Sequence, residues 1–203
     1  RGTRKLPLIL SADGTGILKW FIDAAYAVHI DMRGHSGGGV SFGRGMPAIG
    51  STKQKLNARS STECEVIGVD DFMPAVCWTR YFLNAQGYLV NDNVVYQDNQ
   101  SAMLLEKNGK ASSSKRTKHI NIRYFFVTDR IQKKELRVEW CPTEEMIGDF
   151  MTKPLQGSLF RKFRDQIMGV EPIRSPRFLV RKIGPGDKKK NGKPGPQECV
   201  GAT

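Results

Sequence analysis

Residues 17–25 read ILKWFIDAA, an apolar run rich in β-branched and aromatic side chains. A short run of this composition predicts a strand. Two further short strands are predicted at Val40–Phe42 and Ala48–Gln54, because glycines precede the first and the turn at residues 43–45 separates the two. Three strands in succession joined by short turns predict an antiparallel meander at the start of the domain.

The segment Ser60–Ala85 is the best helix of the chain. Ser60 and Glu63 have the S-x-x-E spacing of a capping box, and apolar residues follow at helical spacing. Pro74 predicts a kink or a break within this helix. Strands are also predicted at Val94–Asp98 and Leu136–Cys141, and helices at Gln100–Lys107, at Ile120–Lys133, from Thr143 to about Met151 and at residues 157–168. Strands that alternate with helices after a meander predict an α/β fold with a mixed sheet and helices on its faces.

The composition favours a polyanionic partner. The 203 residues include 32 Lys and Arg against 20 Asp and Glu, which leaves a formal charge of +12. Nucleic acid is the commonest partner of such a surface. The apolar runs are far shorter than the roughly 20 residues of a membrane span, so a soluble protein is predicted. The four cysteines have no zinc-finger spacing and favour a reduced intracellular compartment, which leaves oxygen ligands for any metal.

The chain divides into three predicted parts. Residues 1–15 resemble a linker and residues 16–169 the folded domain. Residues 170–203 are rich in proline, glycine and basic side chains, and a basic, disordered tail is predicted there.

Four acidic residues occupy positions that folding alone explains poorly: Asp23 in the first strand, Glu65 one turn into the long helix, Asp98 at the end of a strand, and Asp149 on the last helix of the domain. A buried carboxylate is costly unless it is paired or binds a metal. Each also has a simpler explanation. Asp23 can end its strand in an Asx turn, Asp98-Asn99 can form a turn or helix cap, Glu65 can cap with Thr62, and Asp149 suits a helix start.

Four motifs then resemble a known family. LNARSSTECEVIGV at residues 56–69 is similar to the "SSTEAEY" helix start in the ribonuclease H domain of Ty1/copia-type retrotransposon Pol polyproteins. Residues 94–108 (VVYQDNQSAMLLEKN) resemble its "DNQSAI" segment and residues 112–131 its "RTKHIDIRYHFIRD" segment. Residues 140–155 (WCPTEEMIGDFMTKPL) resemble its "PTEDQLADIFTKPL" ending. These matches occur in the family's order and extend over about residues 17–168.

The resemblance implies a ribonuclease H-like fold, with a five-stranded mixed sheet, three antiparallel strands first, flanked by helices. It implies a two-metal phosphodiester hydrolase that cuts the RNA strand of RNA–DNA hybrids. The catalytic and metal-binding residues carried over are Asp23, Glu65, Asp98 and Asp149, which would hold two Mg²⁺ ions, with Mn²⁺ as a substitute. Such ions lie ~3.5–4 Å apart and straddle the scissile phosphate.

Further residues are assigned to substrate binding. Ser60, Ser61 and Thr62 lie beside Glu65 and are candidate donors to the 2′-hydroxyl, the group that distinguishes RNA from DNA. Asn99 beside Asp98 belongs to the same set. Lys115, Arg116 and Lys118 are assigned to phosphate contacts, since such contacts position a nucleic acid without selecting its sequence. For His119, a capping or packing role at a helix start is preferred to a catalytic one.

The implied partners are the RNA–DNA hybrid and the reverse transcriptase and integrase parts of the same polyprotein, with no membrane. The implied location is intracellular, in a cytoplasmic virus-like particle or the nucleus. The alternative function is a catalytically inactive ribonuclease H-like domain that binds nucleic acid or connects other domains. One departure from the family bears on activity: Cys141-Pro142-Thr143 stands where many cellular relatives have a flexible histidine.

Overall fold

The computed structural model describes residues 5–108 and 121–176. The strands are β1 (Ser11–Ala12), β2 (Ile17–Ala25), β3 (His35–Ser41), β4 (Gly43–Arg44), β5 (Ala48–Lys53), β6 (Asp92–Gln97) and β7 (Arg137–Trp140). The helices are α1 (Ser61–Ala85), α2 (Gln100–Asn108), α3 (Asn121–Gln132), a 3₁₀ turn at Thr143–Glu145, α4 (Asp149–Thr152) and α5 (Gly157–Ile167).

Five of the strands form one mixed sheet in the order β5-β3-β2-β6-β7. β2 pairs with β3, and β3 with β5, in antiparallel register, whereas β6 is parallel to β2 and β7 is parallel to β6. The predicted fold class, a mixed α/β sheet that begins with three antiparallel strands, is confirmed. β1 and β4 form a separate two-stranded pair beside it.

Both faces of the sheet are covered, which explains why ILKWFIDAA is apolar without strict alternation. One face of β2 packs Trp20 and Ile22 against a core that includes Met73 and Val76 of α1. The other face packs Phe21 into a second core that contains Phe163 of α5. Every residue of β2 after the first is buried, so this strand is the centre of the domain.

α1 begins as the sequence predicts but does not break at its proline. The Ser60 hydroxyl accepts a hydrogen bond from the Glu63 amide at 3.1 Å, and the Glu63 carboxylate accepts from the Arg59 amide. Of the two predicted effects of Pro74, the break is wrong, because the helix continues to Ala85, and the kink stays a prediction. Packing on both sides of the proline stabilises the helix through it, since Met73 and Val76 are completely buried.

Residues beyond both predicted boundaries of the domain make contacts with it. Residues 11–12, within the predicted linker, pair with β4, and the buried Lys19 ammonium binds Asp13 at 2.5 Å. Ile173, within the predicted tail, is buried in the second core, and its amide donates to the Gly43 carbonyl at 2.8 Å. The local sequence does not predict either contact, because the partners are distant in sequence. Residues 177–203 of the tail lie outside the described residues.

The helix predicted next to the last one in the chain is also different. The single helix from Thr143 to about Met151 is instead a 3₁₀ turn followed by α4. Between these two pieces the chain inserts Met146 and Ile147 into the second core, where both are buried. Tertiary packing therefore overrides a locally helical sequence here.

Within residues 5–108 and 121–176, no helix combines the length and the apolar character that crossing a membrane requires.

Replacing Ile173 by Ala tests whether this residue belongs to the folded domain. The substitution leaves a cavity in the second core and should lower the free energy of unfolding by about 2–5 kcal/mol. Thermal unfolding should then begin several degrees lower. Ile30 provides the control, because it is fully exposed at 106%. Ile30→Ala deletes the same atoms as Ile173→Ala, but at a position where they contact water. Equal melting temperatures for the two variants would contradict the packing of residue 173.

Candidate active site

The sheet register places two aspartates side by side. β2 and β6 are parallel, with Phe21 opposite Tyr96, so the same register continued by two residues sets Asp23 beside Asp98. Asp23 is 1% exposed and pairs with Gly37 inside the sheet, so the predicted alternative of an Asx turn is wrong. Asp98 follows the last residue of β6 and is half-buried. Both acids therefore lie at the ends of the central parallel strands.

Glu65 reaches the same place from the helix that crosses the sheet. It lies in the second turn of α1, and its Oε2 accepts a hydrogen bond from the Ala24 amide at 3.1 Å. This contact directs the carboxylate toward β2, so the alternative of a cap with Thr62 is wrong. Oxygens of Asp23, Glu65 and Asp98 all lie within 4.8 Å of one another.

Asp149 lies outside this group of three but close to Asp23, since both pair with Lys153, and two glycines let α4 approach the sheet closely. A Cβ at Gly148 would lie 2.9 Å from the Asp23 amide nitrogen, and one at Gly37 would lie 2.6 Å from Met151 and Thr152. Any larger side chain at these positions would push α4 away from β2 and β3. Asp149, the first residue of α4, is consequently buried beside Asp23.

Neighbouring side chains hold Asp23, Asp98 and Asp149 in place. The Thr152 hydroxyl donates to Asp23, and the Thr143 hydroxyl donates to Asp98 at 3.4 Å. The Lys153 ammonium lies 2.8 Å from Asp149 Oδ1 and 3.5 Å from Asp23 Oδ1, and so pairs with both acids. The 3₁₀ turn and the end of α4 thus supply the polar contacts.

Crowding shifts the acids toward their neutral forms. Burial, followed by the charges of Asp23 and Asp98, raises the pKa of Glu65 to about 9. Burial and the charge of Asp23 likewise raise the pKa of Asp98, and they raise that of Asp149 to about 6. Burial alone would lower the pKa of Lys153, but the charges of Asp23 and Asp149 outweigh it and raise the value. Bringing these charges together opposes folding unless protons or cations neutralise them.

The donor set suits a hard divalent cation. The Asp23, Glu65 and Asp98 cluster offers carboxylate oxygens, which Mg²⁺ prefers. In the described part of the chain, no histidine or cysteine belongs to this cluster, and those are the ligands that zinc favours. The arrangement can therefore bind a divalent metal ion through carboxylate oxygens, near the carboxyl ends of the central strands.

The predicted substrate-binding residues have different outcomes. Ser60 caps α1, so its hydroxyl is already in use, whereas Ser61 is exposed and Thr62 is half-buried next to Glu63. Asn99 caps α2, since its Oδ1 accepts from the Ser101 and Ala102 amides at 3.1 Å each. Lys115, Arg116, Lys118 and His119 lie outside the described residues.

Three residues of the site were not singled out in the sequence. All three lie within the stretch 140–155: the sequence predicts Thr143 only as a helix cap, which the structure does not show, and gives no role to Thr152 or Lys153. The signal that could have identified Lys153 is its spacing, because an acid and a lysine four residues apart face each other on a helix.

Sequence comparison gives clear relatives, although no protein-family model matches the chain. It is 34% identical over 152 residues to the retrovirus-related Pol polyprotein from transposon TNT 1-94 of Nicotiana tabacum. The match covers 74% of this chain and 11% of that protein. The corresponding polyproteins from transposons RE1 and RE2 of Arabidopsis thaliana are each 32% identical over 168 residues, or 82% of this chain and 11% of theirs. The chain thus spans about a tenth of the length of these relatives.

The chain is also similar to solved structures of other proteins. LC11-RNase H1, isolated from compost, is 9% identical with a TM-score of 0.48, over 67% of this chain and 92% of that chain. The N-terminal ribonuclease H domain of a Mycobacterium tuberculosis protein is 10% identical with a TM-score of 0.41, over 72% and 97% of the two chains.

The raised pKa of Glu65 predicts how stability depends on pH without metal. Because the folded protein holds a proton that the unfolded chain releases, stability should fall as pH rises from the ordinary value of 4.5 toward about 9. Glu65→Gln has the shape of the protonated glutamate and cannot ionise, so the variant should not lose this stability as pH rises. In a metal chelator, the variant should melt several degrees above the parent at about pH 8.5 and equally near pH 5.

Glu171→Gln is the matched control, because Glu171 is exposed and distant from the cluster in sequence. This variant should follow the parent at both pH values. If Glu65→Gln shows the same dependence on pH as Glu171→Gln, the crowding of carboxylates around Glu65 is contradicted.

Proposed function

This chain belongs to the family of copia-type retrotransposon Pol polyproteins, and from that premise we propose that it is their ribonuclease H domain. The activity proposed is metal-dependent endonucleolytic cleavage of the RNA strand in RNA–DNA hybrids during reverse transcription. The observation that carries the proposal is the convergence of Asp23, Glu65 and Asp98 within 4.8 Å at the ends of two parallel strands. Asp149 completes the set from α4.

The metal that fits these residues is Mg²⁺, with Mn²⁺ as a substitute. Asp23, Glu65 and Asp98 would hold one ion, and Asp23 together with Asp149 a second. Two such ions supply an activated water and stabilise the charge that develops on the leaving 3′ oxygen. The raised pKa of Glu65, to about 9, fits this interpretation, because burial, followed by the charges of Asp23 and Asp98, leaves a site that a cation would stabilise.

The chain's own residues fix the ligands before any metal binds. The Ala24 amide orients Glu65, the Thr143 hydroxyl orients Asp98, and the Thr152 hydroxyl orients Asp23. All three donors belong to secondary-structure elements or their ends, which limits movement of the carboxylates. Ligands held in this way need little reorganisation when the substrate arrives.

Recognition of RNA is proposed for the start of α1. Ser61 is exposed and Thr62 is half-buried, and both precede Glu65 by one helical turn or less. A hydroxyl there can donate to a ribose 2′-hydroxyl, which DNA lacks. Lys115, Arg116 and Lys118 remain proposed phosphate contacts, consistent with a formal charge of +12 for the chain.

The proposed partners are the reverse transcriptase and integrase parts of the same polyprotein, because the curated relatives are Pol polyproteins and the matched segment covers 11% of them. The proposed location is intracellular, in a virus-like particle or the nucleus.

Cleavage of a labelled RNA–DNA hybrid tests the proposal. The wild-type protein should cut the RNA strand with Mg²⁺ or Mn²⁺ and should lose activity when Ca²⁺ replaces them, since calcium takes looser coordination. Asp98→Asn should reduce cleavage by at least about a hundredfold, because a metal ligand is lost. Its melting temperature without metal should stay equal or rise, because one repelling charge is removed.

Asp165→Asn, on helix α5 and outside the carboxylate cluster, is the control and should cleave like the wild type. A DNA duplex of the same sequence should remain intact. Hybrid binding without cleavage by the wild type would favour the alternative, an inactive nucleic-acid-binding domain. Wild-type activity in Asp98→Asn would contradict the assignment of the four acids.

A further inference from the structure

Lys153 places a permanent positive charge inside the carboxylate cluster. Its ammonium lies 2.8 Å from Asp149 and 3.5 Å from Asp23, whose side chains are only 4% and 1% exposed. Asp23 and Asp149 are the two ligands assigned above to the second ion. The lysine therefore contacts the same pair of carboxylates that this ion needs.

The position of Lys153 allows its ammonium to move away from Asp23 and Asp149 as well as to pair with them. Lys153 follows the last residue of α4, where the backbone is extended, and its side chain is 39% exposed. The flexible four-carbon stem can carry the ammonium into solvent without moving the backbone. The carboxylates have no such freedom, because β2 and α4 hold them.

An ammonium and a divalent cation on the same two carboxylates repel each other strongly. Like charges at such short range are poorly screened under the effective dielectric of a protein surface. Binding of the second ion therefore requires the ammonium to move away from Asp23 and Asp149, and a nearby negative phosphate would favour that movement.

We infer that Lys153 is a displaceable counter-cation, which neutralises Asp23 and Asp149 when metal is absent and opposes binding of the second divalent ion until substrate is present. The inference rests on the proposed function, because it concerns the same metal centre. Lys153 is a positioning residue in this account: it acts through the two carboxylates and the occupancy of their metal site.

The test is a titration with Mn²⁺ alone, in the absence of nucleic acid, with free Mn²⁺ measured by electron paramagnetic resonance. The wild type should bind one ion more tightly than the second. Lys153→Met and Lys153→Gln remove the competing charge, so the second ion should bind at least about fivefold more tightly, the lower end of ordinary coupling between ligands. Lys153→Arg keeps the charge and should behave like the wild type.

Lys133→Met is the matched control. Lys133 makes the same kind of pair, four residues after Asp129 at 2.9 Å, but on the exposed face of the chain. This variant should leave Mn²⁺ binding unchanged. Melting temperatures add a second measurement: without metal, Lys153→Met should melt lower than the wild type, and saturating Mn²⁺ should remove the difference.

A purely structural lysine would give a lower melting temperature with unchanged Mn²⁺ affinity, and that result would overturn the inference. Weaker binding of the second ion in both neutral variants would overturn it too. Neither measurement uses hybrid cleavage, so the inference can fail while the wild type still cuts hybrids. Conversely, a wild type that binds Mn²⁺ as expected but cuts no hybrid would refute the proposed function alone.

Discussion

Carboxylates that repel one another lie together where β2 and β6 end, and the rest of the fold must offset that repulsion. Oxygens of Asp23, Glu65 and Asp98 lie within 4.8 Å, and Asp149 is tied to Asp23 through Lys153. Like charges in such buried surroundings oppose folding unless a proton or a cation neutralises them. The two apolar layers on either side of the sheet supply the stability that offsets this repulsion. The Lys153 ammonium supplies part of the missing charge.

Much of the fold follows from local sequence. The limits of β2 match the apolar run 17–25, because a strand buried on both faces must be apolar throughout. The start of α1 follows from the Ser60 cap. The four acids could be selected because a carboxylate within an apolar run is costly to bury unless it is paired or binds a metal. The family motifs then indicated the same four residues. The spacing of the motifs along the sequence, however, does not predict how far apart the four carboxylates lie in the folded chain.

The rest depends on contacts between distant segments. Residues 143–151 split into two pieces because Met146 and Ile147 enter the core, which a local helical pattern does not predict. Gly37 and Gly148 are 111 positions apart, yet both are needed for α4 to approach β2. Ile173 follows the last predicted helix and is nevertheless buried, because its partners are distant in sequence. Lys153 could be related to Asp149 by its spacing, but its contact with Asp23 requires the folded sheet.

We propose that the four carboxylates form a two-ion centre that acts on a nucleic acid hybrid. Anomalous X-ray scattering from Mn²⁺, in crystals of the chain grown with a non-cleavable RNA–DNA hybrid, tests it most directly. The account predicts two peaks, one among Asp23, Glu65 and Asp98 and one between Asp23 and Asp149, with a phosphate of the RNA strand in contact with both. A hybrid bound elsewhere, or a cluster that contains no Mn²⁺ while the hybrid is bound, would contradict it.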